Sequence, residues 1–174
     1  MFMSILSKSL ALCAFITGLV ACQTNYPTKH DEVDTLLRTT LPRDDSQVLF
    51  IGLGDFWTNS RDSKIEIGPE HSTGPFWWNA QEFKQNRGIV VTEKSVFFAT
   101  YDSKESKYFI DKKISLPGVR DVLLRKTGLL RVVALQEEDY SWHSFHFSKP
   151  GIADVKKTES VFEYIKEVVK TTAK

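Results

Sequence analysis

Short apolar runs separated by turn residues fill the second half of the chain. GIVVT (88–92) and SVFFATY (95–101) are separated only by Glu93-Lys94, and KYFI, KKISL, VRDVLLR and LLRVVALQ follow. Runs of four to eight residues with turn signals between them are typical of antiparallel strands. The sequence therefore predicts a sandwich or barrel of six or seven short strands.

The last run, YSWHSFHF (140–147), follows an acidic stretch, 137–139, that predicts a turn. Successive side chains of a strand point to opposite faces. One face is predicted to carry Ser141, His143, Phe145 and Phe147, and the other to carry Tyr140, Trp142, Ser144 and His146.

Two segments have the period of a helix instead. The C-terminal one has a single apolar stripe, with Lys and Glu opposite, made of Val161, Phe162, Ile165, Val168 and Val169. Asp154 or Thr158 is a suitable N-cap for it. Near the start, Val33, Leu36, Leu37 and Leu41 predict an amphipathic helix of two to three turns, which Asp31 would cap.

Between these regions the pattern is less regular. VLFIGL (48–53) predicts a buried strand that ends at Gly54-Asp55. The stretch 56–82 then contains a short predicted strand, Lys64–Ile67, a turn-rich GPEHSTGP (68–75) and the aromatic cluster Phe76-Trp77-Trp78.

The first 21 residues have a different character. Met1 to Ser9 carry one charge, Lys8, and the apolar stretch Leu10–Ala21 carries none. A membrane-spanning helix needs ~20 apolar residues, so this stretch is too short to be one. A basic start, a short apolar middle and small residues at the end predict a cleavable signal peptide, 1–21.

The end of this segment, Leu19-Val20-Ala21-Cys22, resembles the lipobox of bacterial lipoproteins. The resemblance implies that the Cys22 thiol is diacylated, that the chain is cut before Cys22, and that its new amino group is acylated. Gln23 stands where an aspartate would imply retention in the inner membrane, so we expect an outer-membrane anchor facing the periplasm. The alternative is an ordinary secretory signal cut near Ala21, which would leave Cys22 as a free thiol.

The order of strands followed by one amphipathic helix is that of a pleckstrin-homology (PH)-like barrel. Gly88 to Phe98 resembles the hairpin of GRAM and bacterial PH-like domains, in which the Gly and Thr positions frame a tight turn; 116–122 and 144–147 resemble later strands. The resemblance implies an α+β, mainly β fold over residues 47–174, after a lipidated tether at 22–46. The basic signature of eukaryotic lipid-binding members is missing.

Composition narrows the possible functions. Cys13 would leave with the signal peptide and Cys22 would carry lipid, so the mature chain has no thiol for a disulfide, a metal or nucleophilic chemistry. Without Lys8 the mature chain has 22 basic and 22 acidic residues, and a formal net charge of zero. Such a balance gives no global electrostatic reason to bind nucleic acid or anionic lipid.

Motifs for catalysis are lacking. No G-x-S-x-G elbow, P-loop or dinucleotide-binding motif occurs. His143 and His146 are three apart on a strand, so they face opposite sides and do not share a metal; we interpret them as partly exposed strand residues. The basic pairs Lys112-Lys113, Arg125-Lys126 and Lys156-Lys157 are interpreted as solvated. We therefore expect no catalytic residues, no metal and no cofactor.

The cluster Phe76-Trp77-Trp78 is the candidate binding surface, because Trp is enriched at protein and lipid interfaces. Alternatively, adjacent aromatics simply cover two faces of a barrel. The sequence favours a membrane-anchored, non-catalytic periplasmic module that binds or scaffolds an envelope protein or lipid. The alternatives are an envelope hydrolase or transferase with an unrecognised site, and a carrier of a small ligand or lipid.

Overall fold

The computed structural model describes residues 30–42, 47–59, 82–150 and 152–172. Cys22, the predicted strand at 64–67 and the aromatic cluster at 76–78 lie outside them. The elements in chain order are α1 (His30–Thr40), β1 (Val48–Asn59), β2 (Glu82–Thr92), β3 (Ser95–Asp102), β4 (Lys107–Ser115), a 3-10 turn (Leu116–Gly118), β5 (Val119–Thr127), β6 (Leu130–Glu137), β7 (Trp142–Lys149), β8 (Ile152–Ala153) and α2 (Val155–Thr172).

One antiparallel sheet, in the order β4-β3-β2-β1-β7-β6-β5, forms the body of the molecule, and β8 pairs with the end of β7. The main buried cluster takes side chains from each of β1 to β7 and from α2. The half of the sheet formed by β1 to β4 and the half formed by β5 to β7 therefore face each other across it. Seven strands followed by a packed C-terminal helix confirm the predicted PH-like fold. KYFI and KKISL, which the sequence pattern predicts as two separate runs, form the single strand β4.

Strand β1 joins the two halves of the sheet. It pairs with β2 from Val48 to Thr58 and with β7 from Leu53 onward. The prediction that this strand ends at Gly54-Asp55 is wrong. A Cβ at Gly54 would lie 1.9 Å from the carbonyl oxygen of His146, so glycine here permits the close approach of β7.

The β2–β3 hairpin has the predicted tight turn. The Thr92 hydroxyl accepts hydrogen bonds from the backbone N–H groups of Lys94, at 3.3 Å, and Ser95, at 3.0 Å. A threonine side chain that mimics a backbone turn in this way fixes the reversal of the chain. Gly88 lies at the start of the segment that resembles the GRAM hairpin. A Cβ on Gly88 would lie 2.3 Å from the Leu37 side chain, so glycine at this position makes room for α1.

Helix α1 covers the outer face of the first half of the sheet. Its apolar residues pack with side chains from four strands in a second buried cluster, formed by Val33, Leu37, Ile51, Val90, Phe97, Ala99 and Tyr108. The predicted amphipathic helix is confirmed. It begins at His30, so Asp31 lies in its first turn instead of capping it.

Helix α2 closes the core as its apolar stripe predicts. Val161, Phe162 and Ile165 are buried in the main cluster. The Asp154 carboxylate caps the helix by accepting a hydrogen bond from the Lys157 N–H at 3.2 Å. Among the described residues, neither this helix nor α1 combines the length and apolar character that crossing a membrane requires.

We expect Ile165→Ala to lower the free energy of unfolding by about 2–5 kcal/mol, because it leaves a cavity in a closely packed core. Glu163→Ala, on the exposed side of the same helix, is the matched control. Chemical denaturation of both variants measures the difference. A loss in Ile165→Ala no larger than in Glu163→Ala contradicts the packing described for α2.

Candidate binding site at the loop end of the sheet

Polar side chains gather on the inner face at one end of the sheet, where β1 ends and β6 turns into β7; we call this the loop end. Lys112 pairs with Phe98, and His143 pairs with Leu135, and both partners belong to the main core cluster. Paired residues on antiparallel strands share a face, so Lys112 and His143 face inward. With their polar neighbours they form the His143 cluster, which consists of Thr58, Lys112, Glu137, Asp139, Ser141 and His143.

Both ring nitrogens of His143 have partners. Nε2 lies 2.6 Å from the Glu137 carboxylate, and Nδ1 lies 3.2 Å from the Thr58 hydroxyl. An ionised carboxylate only accepts hydrogen bonds, which assigns the ring proton to Nε2. Thr58 then donates to Nδ1, and the neutral ring satisfies both contacts.

His143 is buried, with 3% of its surface exposed, so the prediction that it is partly exposed is wrong. Burial lowers its pKa, because the charged ring would lose its water, and Lys112 acts in the same direction. Glu137 opposes this shift, but the Lys112 ammonium lies 2.8 Å from the same carboxylate oxygen and neutralises part of its charge. Burial and Lys112 together thus favour the neutral ring.

The cluster does not have the geometry of a serine hydrolase. The Ser141 hydroxyl lies 3.1 Å from His143 Nε2, on the same nitrogen that faces Glu137, and it donates to Asp139 at 2.6 Å. A nucleophile–base–acid relay needs the hydroxyl and the acid on opposite ring nitrogens. The part of the chain that the structure describes also contains no group of three His, Cys, Asp or Glu placed to hold a metal.

A second charged group lies nearby on β2, β3 and β4. The Asp111 carboxylate forms ion pairs with the Lys84 ammonium at 3.9 Å and the Arg87 guanidinium at 3.6 Å. The Thr100 hydroxyl donates a hydrogen bond to Asp111 and accepts one from Arg87. Lys84 pairs with the core residue Phe56, so its position is on the inner face too.

Lys112 was expected to be solvated, and 37% of its side chain is exposed. Its side chain is partly buried and contacts Glu137, because its position on β4 faces the inside of the sheet.

His146 lies on the opposite face of β7, as predicted. Its Nε2 is 3.6 Å from the Asp55 carboxylate, and its ring lies 6.0 Å from that of Trp57. With 7% exposure it is also buried, contrary to expectation, because both faces of β7 are covered. Burial lowers the pKa of His146, and Asp55 partly offsets the shift. The two histidines share no ligand site.

The predicted site residues Cys22, Phe76, Trp77 and Trp78 lie outside the described residues, so these predictions stay predictions. The chain leaves β1 at Asn59 and re-enters the sheet at Glu82, and these positions are on neighbouring strands at the loop end. Sequence reasoning missed the His143 cluster, because its members come from distant parts of the chain. The one available signal was the alternation along β7, which places His143 on the same face as the core residues Phe145 and Phe147.

No protein-family model and no curated protein matches this chain. Among solved structures, it is similar to the PH domain of USP37, with 16% identity over 71% of this chain and 99% of that one, at a TM-score of 0.42. It is also similar to an activated truncation of Vav1 without ligand, with 8% identity, 79% and 31% coverage, and a TM-score of 0.48. A Vav1 structure with an allosteric inhibitor gives 9% identity, 79% and 32% coverage, and a TM-score of 0.46.

The chain thus spans about a third of the Vav1 chains that it matches. The strand order and the packed C-terminal helix establish the fold independently of these likenesses.

The lowered pKa values of His143 and His146 predict how stability depends on pH. Above the ordinary histidine value of 6.5 both rings are neutral in the folded and unfolded chain. Below it the unfolded chain takes up protons that the folded chain does not, so the free energy of unfolding falls as the pH is lowered. Denaturant unfolding across pH 6.5 measures the fall.

Ring resonances in NMR titrations separate the two histidines. Glu137→Gln should lower the pKa of His143 further, since it removes the group that favours the charged ring, and Asp55→Asn should do the same for His146 only. A His143 ring that titrates at or above 6.5 in the unmodified protein is incompatible with this account.

Proposed function

We propose that this protein is a bacterial envelope lipoprotein whose PH-like domain is a non-catalytic binding or scaffolding module. An acylated Cys22 holds it at the outer membrane, facing the periplasm. The observation that carries the proposal is the box Leu19-Val20-Ala21-Cys22, which stands only seven residues before α1, a helix packed onto the domain. Two or more acyl chains anchor a protein stably without a membrane-spanning helix.

The packing of the core favours recognition at the surface over carriage of a ligand inside the sheet. Phe56 stacks on Phe98 with ring centres 4.0 Å apart, and Phe98 and Phe145 are in an edge-to-face arrangement with ring centres 5.5 Å apart. A carrier needs an apolar cavity of several hundred Å³. In the described part of the chain, these three rings belong to the buried cluster between the two halves of the sheet.

The loop end is the surface that we assign to the partner, an envelope protein or a lipid. It presents the His143 cluster, and the chain segment with the predicted binding residues Phe76, Trp77 and Trp78 is attached there at Asn59 and Glu82. The hydrolase or transferase alternative has less support, because Ser141 and Glu137 share one nitrogen of His143.

Replacing the lipidated cysteine tests the anchor. We expect Cys22→Ser to abolish incorporation of labelled palmitate while leaving the folded domain intact. Cys13→Ser is the matched control, since Cys13 would leave with the signal peptide and its loss should not affect labelling. Detergent phase separation of the labelled proteins provides the second readout. Palmitate that persists on Cys22→Ser would rule out this anchor.

Alternation along an extended segment predicts unequal roles for Trp77 and Trp78. One should be shielded, so that its replacement by Ala costs ~3–5 kcal/mol of stability, as for a truncated core aromatic. The other should be accessible, and its replacement should weaken partner binding with little effect on folding. Acrylamide quenching and unfolding curves of single-Trp variants distinguish them. Two shielded, equally destabilising positions would remove the cluster as a binding surface.

A further inference from the structure

Two aliphatic side chains protrude from the end of the molecule opposite the loop end. Leu129, in the β5–β6 turn, is 90% exposed, and Ile152, at the start of β8, is 67% exposed. Strands β6 and β7 are antiparallel neighbours, so the start of β6 and the end of β7 lie at the same end. We call it the α2 end, because α2 begins there and its Glu159 binds Arg131 of β6 at 3.0 Å.

The charge at the α2 end is predominantly basic. Arg131 pairs with Glu159, and Lys149 pairs with Asp154 at 3.1 Å, so these charges cancel. Exposed Lys126, close to Leu129 in the chain, and exposed Lys156, in the first turn of α2, remain in excess. One exposed aliphatic residue is ordinary on a protein surface. Two exposed aliphatic residues at the same end as two exposed lysines match the interface of an anionic bilayer.

The start of α1 lies beside the α2 end. Lys157, in the first turn of α2, donates to the Ile51 carbonyl, and Ile51 belongs to the same buried cluster as Val33 of α1. Asp34 of α1 is near enough to raise the pKa of Lys157, partly offsetting the larger, opposite effect of burial. The chain from Cys22 therefore reaches the folded domain at this end. Eight Cα–Cα steps separate Cys22 from His30, and covalent geometry limits them to about 29 Å.

We propose that the α2 end is a membrane-docking surface for an anionic phospholipid bilayer. Leu129 and Ile152 enter the interface, and Lys126 and Lys156 face the headgroups. This rests on the proposed anchoring at Cys22, which holds the α2 end close to the bilayer. Docking in this orientation turns the loop end, with its His143 cluster, away from the membrane and toward a partner.

The test uses the acylated mature chain in vesicles of phosphatidylethanolamine and phosphatidylglycerol. Its one cysteine is acylated, so Ser160→Cys takes a single environment-sensitive fluorophore at an exposed position of α2, one turn beyond Lys156. Lys104→Cys, exposed in the β3–β4 turn at the opposite end, is the matched control. With a nitroxide quencher in the lipid, we expect quenching to be several-fold stronger at position 160 than at 104.

A second variant separates docking from anchoring. Adding Leu129→Ser and Ile152→Ser should abolish the difference between the two label positions, while the protein still sediments with the vesicles. Equal quenching at both positions, or a difference that survives the double substitution, overturns the docking surface alone. A chain that carries no palmitate and does not sediment with the vesicles overturns the anchor, and the docking surface with it.

Discussion

The close approach of β1 and β7 at Gly54 is the constraint on which the structure depends. Because glycine has no side chain, the His146 carbonyl reaches a position 1.9 Å from where a Cβ would be. The chain of β1 therefore continues past this point and pairs with β7 as well as β2. The two halves of the sheet can then face each other across one core. The same continuation brings Thr58 opposite His143, where the two side chains hydrogen-bond.

The inner face of the sheet changes character from one end to the other. In the middle, Phe98, Phe145 and Phe147 fill the space between the halves. Toward the loop end the same face carries His143 and Lys112, both bonded to Glu137. Glu137 is half-buried, and a carboxylate with two partners costs less to desolvate than one without, so this arrangement keeps polar groups on the inner face without leaving a charge uncompensated.

Local patterns were enough to predict most of the fold. The apolar stripe through Val161 and Ile165 correctly predicted the face of α2 that is buried. The tight turn predicted after Thr92 is present, and the Thr92 hydroxyl stabilises it with a hydrogen bond. The extension of β1 beyond Gly54 was missed, since a Gly-Asp pair usually ends a strand, and here the partner strand β7 overrides that local preference.

The candidate site was much less predictable. The burial of His143 and the inward direction of Lys112 depend on strands that are distant in sequence, and no local pattern shows which strands become neighbours. The predicted binding residues at 76–78 and the predicted lipid site at Cys22 depend on chain segments outside the described residues. Their assignment rests on motif and composition alone.

Site-specific photo-crosslinking in intact envelopes tests the central claim most directly, that an anchored domain presents its loop end to a partner. A photoreactive residue replaces Glu138, exposed in the β6–β7 turn, and in a separate protein it replaces Glu163, exposed on α2. We predict a discrete adduct from position 138 and none from position 163. Equal adducts from both positions, or none from position 138, would contradict the account.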